Sequence, residues 1–147
     1  MILDERCEFA DALALGLSTG RANLGDQIPL TVARNVGSPP RPLYFVVQVT
    51  TAITGPTSVA FELVSDTSNP PLTDGTATVH VASRSVPVAS LTAGTVVCCI
   101  PLPGEPPAYE TILGVQQNVT GSAVGAGAVN AFLTHDPKQW KAYPDAI

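Results

Sequence analysis

Charge is scarce in this chain: only 13% of its 147 residues are Asp, Glu, Lys or Arg, about half the ~25% usual in soluble domains. Lysine occurs twice, as Lys138 and Lys141, and no segment clusters basic residues. Residues 12–41 hold Arg21, Arg34 and Arg41 against Asp26, and the flanking segments are acidic or balanced, so the formal net charge is -5. Nucleic-acid binding requires several clustered cations to neutralise phosphates, and that class is excluded as an expectation. Cysteine is equally sparse. Cys7, Cys98 and Cys99 are an odd number with an adjacent pair, and strand neighbours point to opposite faces, so no disulfide framework is predicted. Apolar runs near the ~18 residues of a membrane span are missing, and Met1-Ile2-Leu3-Asp4-Glu5 has neither the basic start nor the long apolar stretch of a signal peptide. The expectation is a soluble protein made in the cytoplasm, with reduced thiols and no membrane partner.

Helical periodicity is also scarce. Apolar residues three and four apart occur only in Phe9-Ala10-Asp11-Ala12-Leu13-Ala14-Leu15, which predicts one or two helical turns before Gly16. What the chain does have is 17 Val, 15 Thr, 14 Pro and 12 Gly, the composition of short strands broken by turns. At this length one domain is predicted, and folding buries roughly 68–70% of the unfolded surface. A largely uncharged exterior is cheap to desolvate and suits burial against partners.

Alternation is clearest over residues 43–53, where Phe45, Val47, Val49 and Ile53 share one face while Gln48 and Thr50 take the other. After Gly55-Pro56, Val59, Phe61 and Leu63 alternate with Ser58, Ala60 and Glu62, and the two runs read as an antiparallel hairpin. Residues 65–75, with Asn69-Pro70-Pro71 and Asp74-Gly75, form a loop, since proline gives no ladder donor. Further strands are predicted at 76–82, 86–91, 95–102, 109–119 and 128–135, and one at 28–34, about eight in all. Short strands with frequent turns and no intervening helices predict an all-β antiparallel sandwich or jelly roll, a single domain over residues 1–147. Residues 1–41 are expected to be an irregular N-terminal region and 137–147 a C-terminal tail, both as interface segments. In the tail, Trp140 and Tyr143 with Lys138 and Lys141 either cap the domain's own core or lie on a partner surface.

The residues that carry chemistry do not form a constellation. His80 lies between Val79 and Val81 and is expected to face opposite to both, toward solvent or an interface. A nucleophile set of Cys98 or Cys99 with a histidine and Asp136 lacks any activating turn in the sequence. Instead Cys98 and Cys99 read as small apolar core residues, one on each face. Asp66 and Asp74 flank a loop but match no EF-hand spacing, and two histidines with one cysteine pair make no tetrahedral site. Gly121 to Gly127 lacks the Lys and Ser/Thr of a phosphate loop. The expectation is no enzyme, no metal and no cofactor.

With Met1-Ile2-Leu3-Asp4 and Phe9-Ala10-Asp11 at one end, Pro42-Leu43-Tyr44-Phe45-Val46-Val47-Gln48-Val49 in the body, and Trp140-Lys141-Ala142-Tyr143-Pro144-Asp145-Ala146-Ile147 at the other, the chain resembles the jelly-roll capsid cement, or decoration, proteins of tailed bacteriophages of the Bordetella-phage type. The resemblance covers essentially the whole length, with local departures at Cys98-Cys99 and at Pro103 to Pro107. It implies a virion protein on the outer surface of an HK97-like capsid, bridging neighbouring capsomers against the pressure of packaged DNA. It also implies contact with the major capsid protein and self-association, a homodimer first and a trimer second. Arginine and large aromatics are favoured interface anchors, so Arg21, Arg34, Arg41, Lys138, Trp140, Lys141 and Tyr143 are the candidate interface residues. A carbohydrate- or receptor-binding module on the virion surface is the alternative, and the few aromatics outside the tail weigh against it.

Overall fold

The computed structural model describes residues 5–16, 18–32, 35–37 and 41–137. After a 3-10 turn at Glu5–Cys7 come nine strands: β1 (Glu8–Ala14), β2 (Gly20–Pro29), β3 (Tyr44–Thr54), β4 (Ser58–Asp66), β5 (Thr78–Ala82), β6 (Val86–Pro87), β7 (Val96–Pro101), β8 (Ile112–Thr120) and β9 (Ala126–Thr134). One antiparallel sheet has the order β1-β9-β3-β7, and the other β2-β8-β4-β5 with β6 also on β4. This is the predicted all-β sandwich. The pairing is nested: β1 with β9, β2 with β8, β3 with β7 and β4 with β5. Beyond the nested partners, β9 also meets β3 and β8 meets β4.

Period-two alternation explains the core. Phe45, Val47, Val49 and Ile53 of β3 and Val59, Phe61 and Leu63 of β4 all enter one apolar cluster with Val115, Val119 and Val129, as their spacing predicts. At about 25 cal/mol per Å² of apolar surface removed from water, each such side chain contributes roughly 1.5–3 kcal/mol. The partners are where the prediction fails. β3 and β4 are not a hairpin, for β3 pairs with β7 and β9 while β4 pairs with β5, β6 and β8. Gly55, at φ +105, carries the chain from one sheet to the other, and the two apolar faces meet across the core instead of lying side by side.

The N-terminal region is not irregular as expected, since it supplies β1 and β2. The three-and-four spacing of residues 9–15 is strand rather than helix. Register shifts between Glu8 and Ala10 and between Ala10 and Leu13, with Ala12 at φ 45, place Phe9, Ala10 and Leu15 in the core and leave Leu13 outside. The strand predicted at 28–34 is only the end of β2. In β2 the register slips between Leu24 and Ile28, and Gly25, at φ +69, brings its Cα against Phe9: a Cβ there would meet the Phe9 carbonyl oxygen at 1.8 Å. Residues 86–91 shorten to β6 followed by a 3-10 turn at Val88–Ser90.

Both faces of the second sheet are covered. Glu62, Val64 and Gln116 point away from the core yet are buried, because the loop after β4 folds back over them. Its Pro71 is buried above Gly114, where an added Cβ would touch Pro71 Cγ at 3.0 Å.

Candidate protein interface

Of the cationic candidates, Arg21 is the one the structure explains most fully. It lies on β2 opposite Asn118 of β8, and its Nη2 reaches across to Glu62 on β4, 3.0 Å from Oε2 and 3.3 Å from Oε1. Beside this ion pair, Asn23 Nδ2 donates to the Pro71 carbonyl at 2.8 Å, and Gln116 Nε2 donates to Asn23 Oδ1 at 3.1 Å and to the Leu72 carbonyl at 3.0 Å. The Arg21–Glu62 pair therefore clamps β2 to β4 across β8 beneath the loop, while Asn23 and Gln116 hold the loop itself to the sheet. Arg41 is exposed just ahead of β3, a strand of the other sheet from β2. Arg34, Lys138, Trp140, Lys141 and Tyr143 lie outside the described residues.

The loop acids organise their own loop. Asp66 accepts backbone N–H bonds from Leu72 at 2.9 Å and Ser68 at 3.1 Å, with Thr67 Oγ1 at 3.5 Å. The Leu72 N–H, then that of Ser68, hold its carboxyl below the ordinary value. Asp74 is held low in the same way by the hydroxyl and N–H of Thr76. Among the described residues, no group of three or more His, Cys, Asp or Glu side chains is placed to hold a metal ion.

His80 departs from its expected position. Leu63 pairs with Val81 but Val64 with Val79, so His80 is the extra residue of a bulge, and Val79 and Val81 no longer share a face. Its ring stacks on Tyr109 with centroids 3.8 Å apart and planes 8° from parallel. Its Nε2 lies 2.7 Å from Ser65 Oγ. That oxygen also accepts the Glu110 N–H at 3.0 Å, and Nδ1 of the ring is buried without a hydrogen-bond partner. Burial lowers the pKa of His80 from its ordinary 6.5.

Sequence reasoning missed this serine–histidine contact, which the bulge alone brings together. As chemistry it lacks two requirements. Ser65 is 0% exposed, so no substrate reaches the hydroxyl, and Nδ1 has no carboxylate to orient the ring. Tyr109, pushed up to about 12 by burial, donates its hydroxyl to the Pro103 carbonyl at 2.6 Å and anchors the proline-rich turn. Cys98 is a core residue whose thiol burial raises to about 12, whereas Cys99 is exposed on the opposite face and both are free. The two-face expectation for this pair holds, although Cys99 is not in the core.

The described surface offers two kinds of feature. A recess of about 440 Å³ opens where the irregularities of β1 and β2 meet, lined by Arg6, Glu8, Asp26, Gln27, Ile28 and Pro29. Large apolar side chains are exposed at Leu13, Val32, Leu72, Val79 and Val96. Three of these sit on strands at sheet edges: Leu13 on β1, Val79 on β5 and Val96 on β7.

The model of one protein family, Bbp16, matches residues 9–133, from the second residue of β1 to the penultimate residue of β9. That match points to a Bordetella phage protein family. No curated protein matches the chain, and no helix among the described residues is long and apolar enough to cross a membrane.

Proposed function

The chain belongs to the Bbp16 family, and from that premise we propose that it is a capsid cement protein, bound to the outer surface of an HK97-like phage shell and bridging neighbouring copies of the major capsid protein. The observation that carries the reading is the extent of the family match, which takes in every long strand of the sandwich. Two physical features support it. Nested pairing of first strand with last, second with second-to-last and so inward is the path of a long ribbon rolled on itself, the winding of a jelly roll. Such a body is stiff, because β9 and β8 are each held on two sides. The second feature is the low charge of the exterior, which lowers the desolvation cost of covering it.

Cement in this sense acts through area and multivalency. A rigid body that touches two capsid subunits converts its second contact into an intramolecular one, so modest contacts sum to firm attachment. Self-association as a homodimer would double the number of such contacts. The test is an averaged map of the native particle: density of the size and double-layered shape of this sandwich is expected at regular positions on the outer shell. A shell without such density in particles from an infection expressing this chain overturns the proposal.

A further inference from the structure

The face that the sheet β1-β9-β3-β7 turns away from the core is covered along its middle. Phe45, Val47 and Val49 of β3 and Val129, Ala131 and Leu133 of β9 enter the core cluster, so by alternation Val46 and Gln48 of β3 and Phe132 of β9 point the other way. Val46 pairs with Phe132, and both are 1% exposed, with Gln48 at 2%. On an open sheet face such side chains stand in water, so something lies on them. The margins of the same face are not covered in this way. Cys99 of β7, which pairs with Val46, is exposed, and Glu8 of β1, which pairs with Phe132, is half-buried.

The cover belongs to this chain, because the burial is that of a single copy. The longer described loops are committed elsewhere. Residues 67–77 lie over the other sheet, where the Leu72 carbonyl accepts from Gln116, and Leu91, Leu102, Tyr109 and Val124 carry residues 88–95, 102–111 and 121–125 into the core. From Tyr44 to Thr50 the covered strip runs about 20 Å. Residues 1–4 reach at most about 14 Å, and residues 33–34 and 38–40 are shorter segments tethered by Gly37 against Pro103. Residues 138–147 reach about 33 Å, and they begin just beyond Thr134, whose partner Tyr44 is the near end of the strip.

We propose that residues 138–147 fold back as a strap along this face of their own sheet, with Trp140 over Val46 and Phe132 and Tyr143 further along, toward Gln48 and Thr50. The reach agrees: Phe132 is one two-residue step, about 7 Å, back from Thr134, and Trp140 lies within about 10 Å of Pro137. Charge agrees as well, since both lysines of the chain, Lys138 and Lys141, are in this segment and Glu8 flanks the strip on β1. So do the polar groups. Gln48 Nε2 and Thr50 Oγ1 are buried without a hydrogen-bond partner. An extended segment laid along β3 turns a carbonyl to the same side at every second residue, about 7 Å apart, which is the interval between these two side chains. Trp140 and Tyr143 are then engaged by this chain's own sheet and are not anchors on a capsid subunit. The strap stands without the cement reading, and what it changes there is which surface a partner meets.

Trp140 is the one tryptophan of the chain, so its fluorescence reports the strap without a label. The experiment is acrylamide quenching of the full chain at several dilutions, for the wild type and for variants whose circular dichroism remains that of the wild type. Wild-type Trp140 is expected to emit to the blue of the urea-unfolded chain and to be quenched several-fold more slowly at every dilution. Val46→Lys, within the strip, is expected to bring both readings to those of the unfolded chain, while Val79→Lys, exposed on the other sheet, changes neither. A dye that fluoresces on exposed apolar surface gives a second reading that does not depend on the folding of Val46→Lys. Trp140→Asp with Tyr143→Asp is expected to raise its signal several-fold, and Ile2→Asp with Leu3→Asp to leave it at the wild-type level. A native Trp140 quenched as fast as in urea overturns the strap, as does protection lost on dilution, which puts the tail on a neighbouring copy. A folded Val46→Lys chain with Trp140 still protected overturns it too, and so does a dye signal that follows residues 2 and 3 instead of 140 and 143.

Discussion

Arg21 can be separated from a partner-binding role by removing its charge with and without that of Glu62. Glu62 carries one of its oxygens within 3.0 Å of Arg21 Nη2, with the side chains 11% and 30% exposed respectively. Replacing Arg21 by Met leaves a carboxylate under the covering loop with no cation. Stripping one member from a buried pair costs roughly 3–5 kcal/mol, and the partial exposure of Arg21 admits water and places this case near the lower bound, about 3 kcal/mol. In a chain of this size each kcal/mol shifts the midpoint by about 2–4 °C, so Tm should fall by roughly 6–12 °C, and the unfolding constant should rise about a hundredfold. The double variant Arg21→Met with Glu62→Met removes both charges and leaves apolar side chains of similar length, which often costs little; it should return to within about 1 kcal/mol of the wild type. Thermal and urea unfolding measure both. A single variant that loses less than about 2 °C, or a double variant no better than the single, refutes the clamp. Capsid occupancy then gives the functional half: the folded double variant should bind particles as the wild type does, and loss of binding would make Arg21 a contact residue after all.

Two further outcomes follow from the fold and its buried groups. Gly25→Ala drives a Cβ to 1.8 Å from the Phe9 carbonyl oxygen at φ +69 and should cost at least roughly 3 kcal/mol, whereas Gly94→Ala, at φ +86 with nothing within 4 Å, should cost only about 1–2 kcal/mol; equal urea midpoints for the two would refute the close approach of β1 and β2. For His80, whose folded pKa lies below the ordinary 6.5, stability is fully present above pH 6.5 and declines as pH falls toward the folded value, because the unfolded chain takes up a proton that the folded one resists. His80→Phe keeps a ring against Tyr109 and should flatten the fall in Tm from pH 7.5 to 5; an unaltered slope in that variant removes His80 as its source.

What could be read in the sequence was local, and what could not was relational. Alternation places Val59, Phe61 and Leu63 on one face by geometry alone, and they are core residues. The same alternation is satisfied whether two strands lie side by side or face one another across the core, so it could not say that β3 and β4 sit in different sheets. Extra residues defeat it altogether. Two register shifts turned residues 9–15 into an apparent helical stripe, and one turned His80 inward against Ser65 and Tyr109. For the site, residue type alone marked Arg21 as an anchor, since its partner is 41 positions away. One signal was present: Glu62 stands in the middle of an apolar run, and an acid there demands either solvent or a cation. The loop after β4 removes the solvent, leaving the cation as the solution. In a chain with so few charges, tying one of five arginines to that task leaves little for recognition by charge.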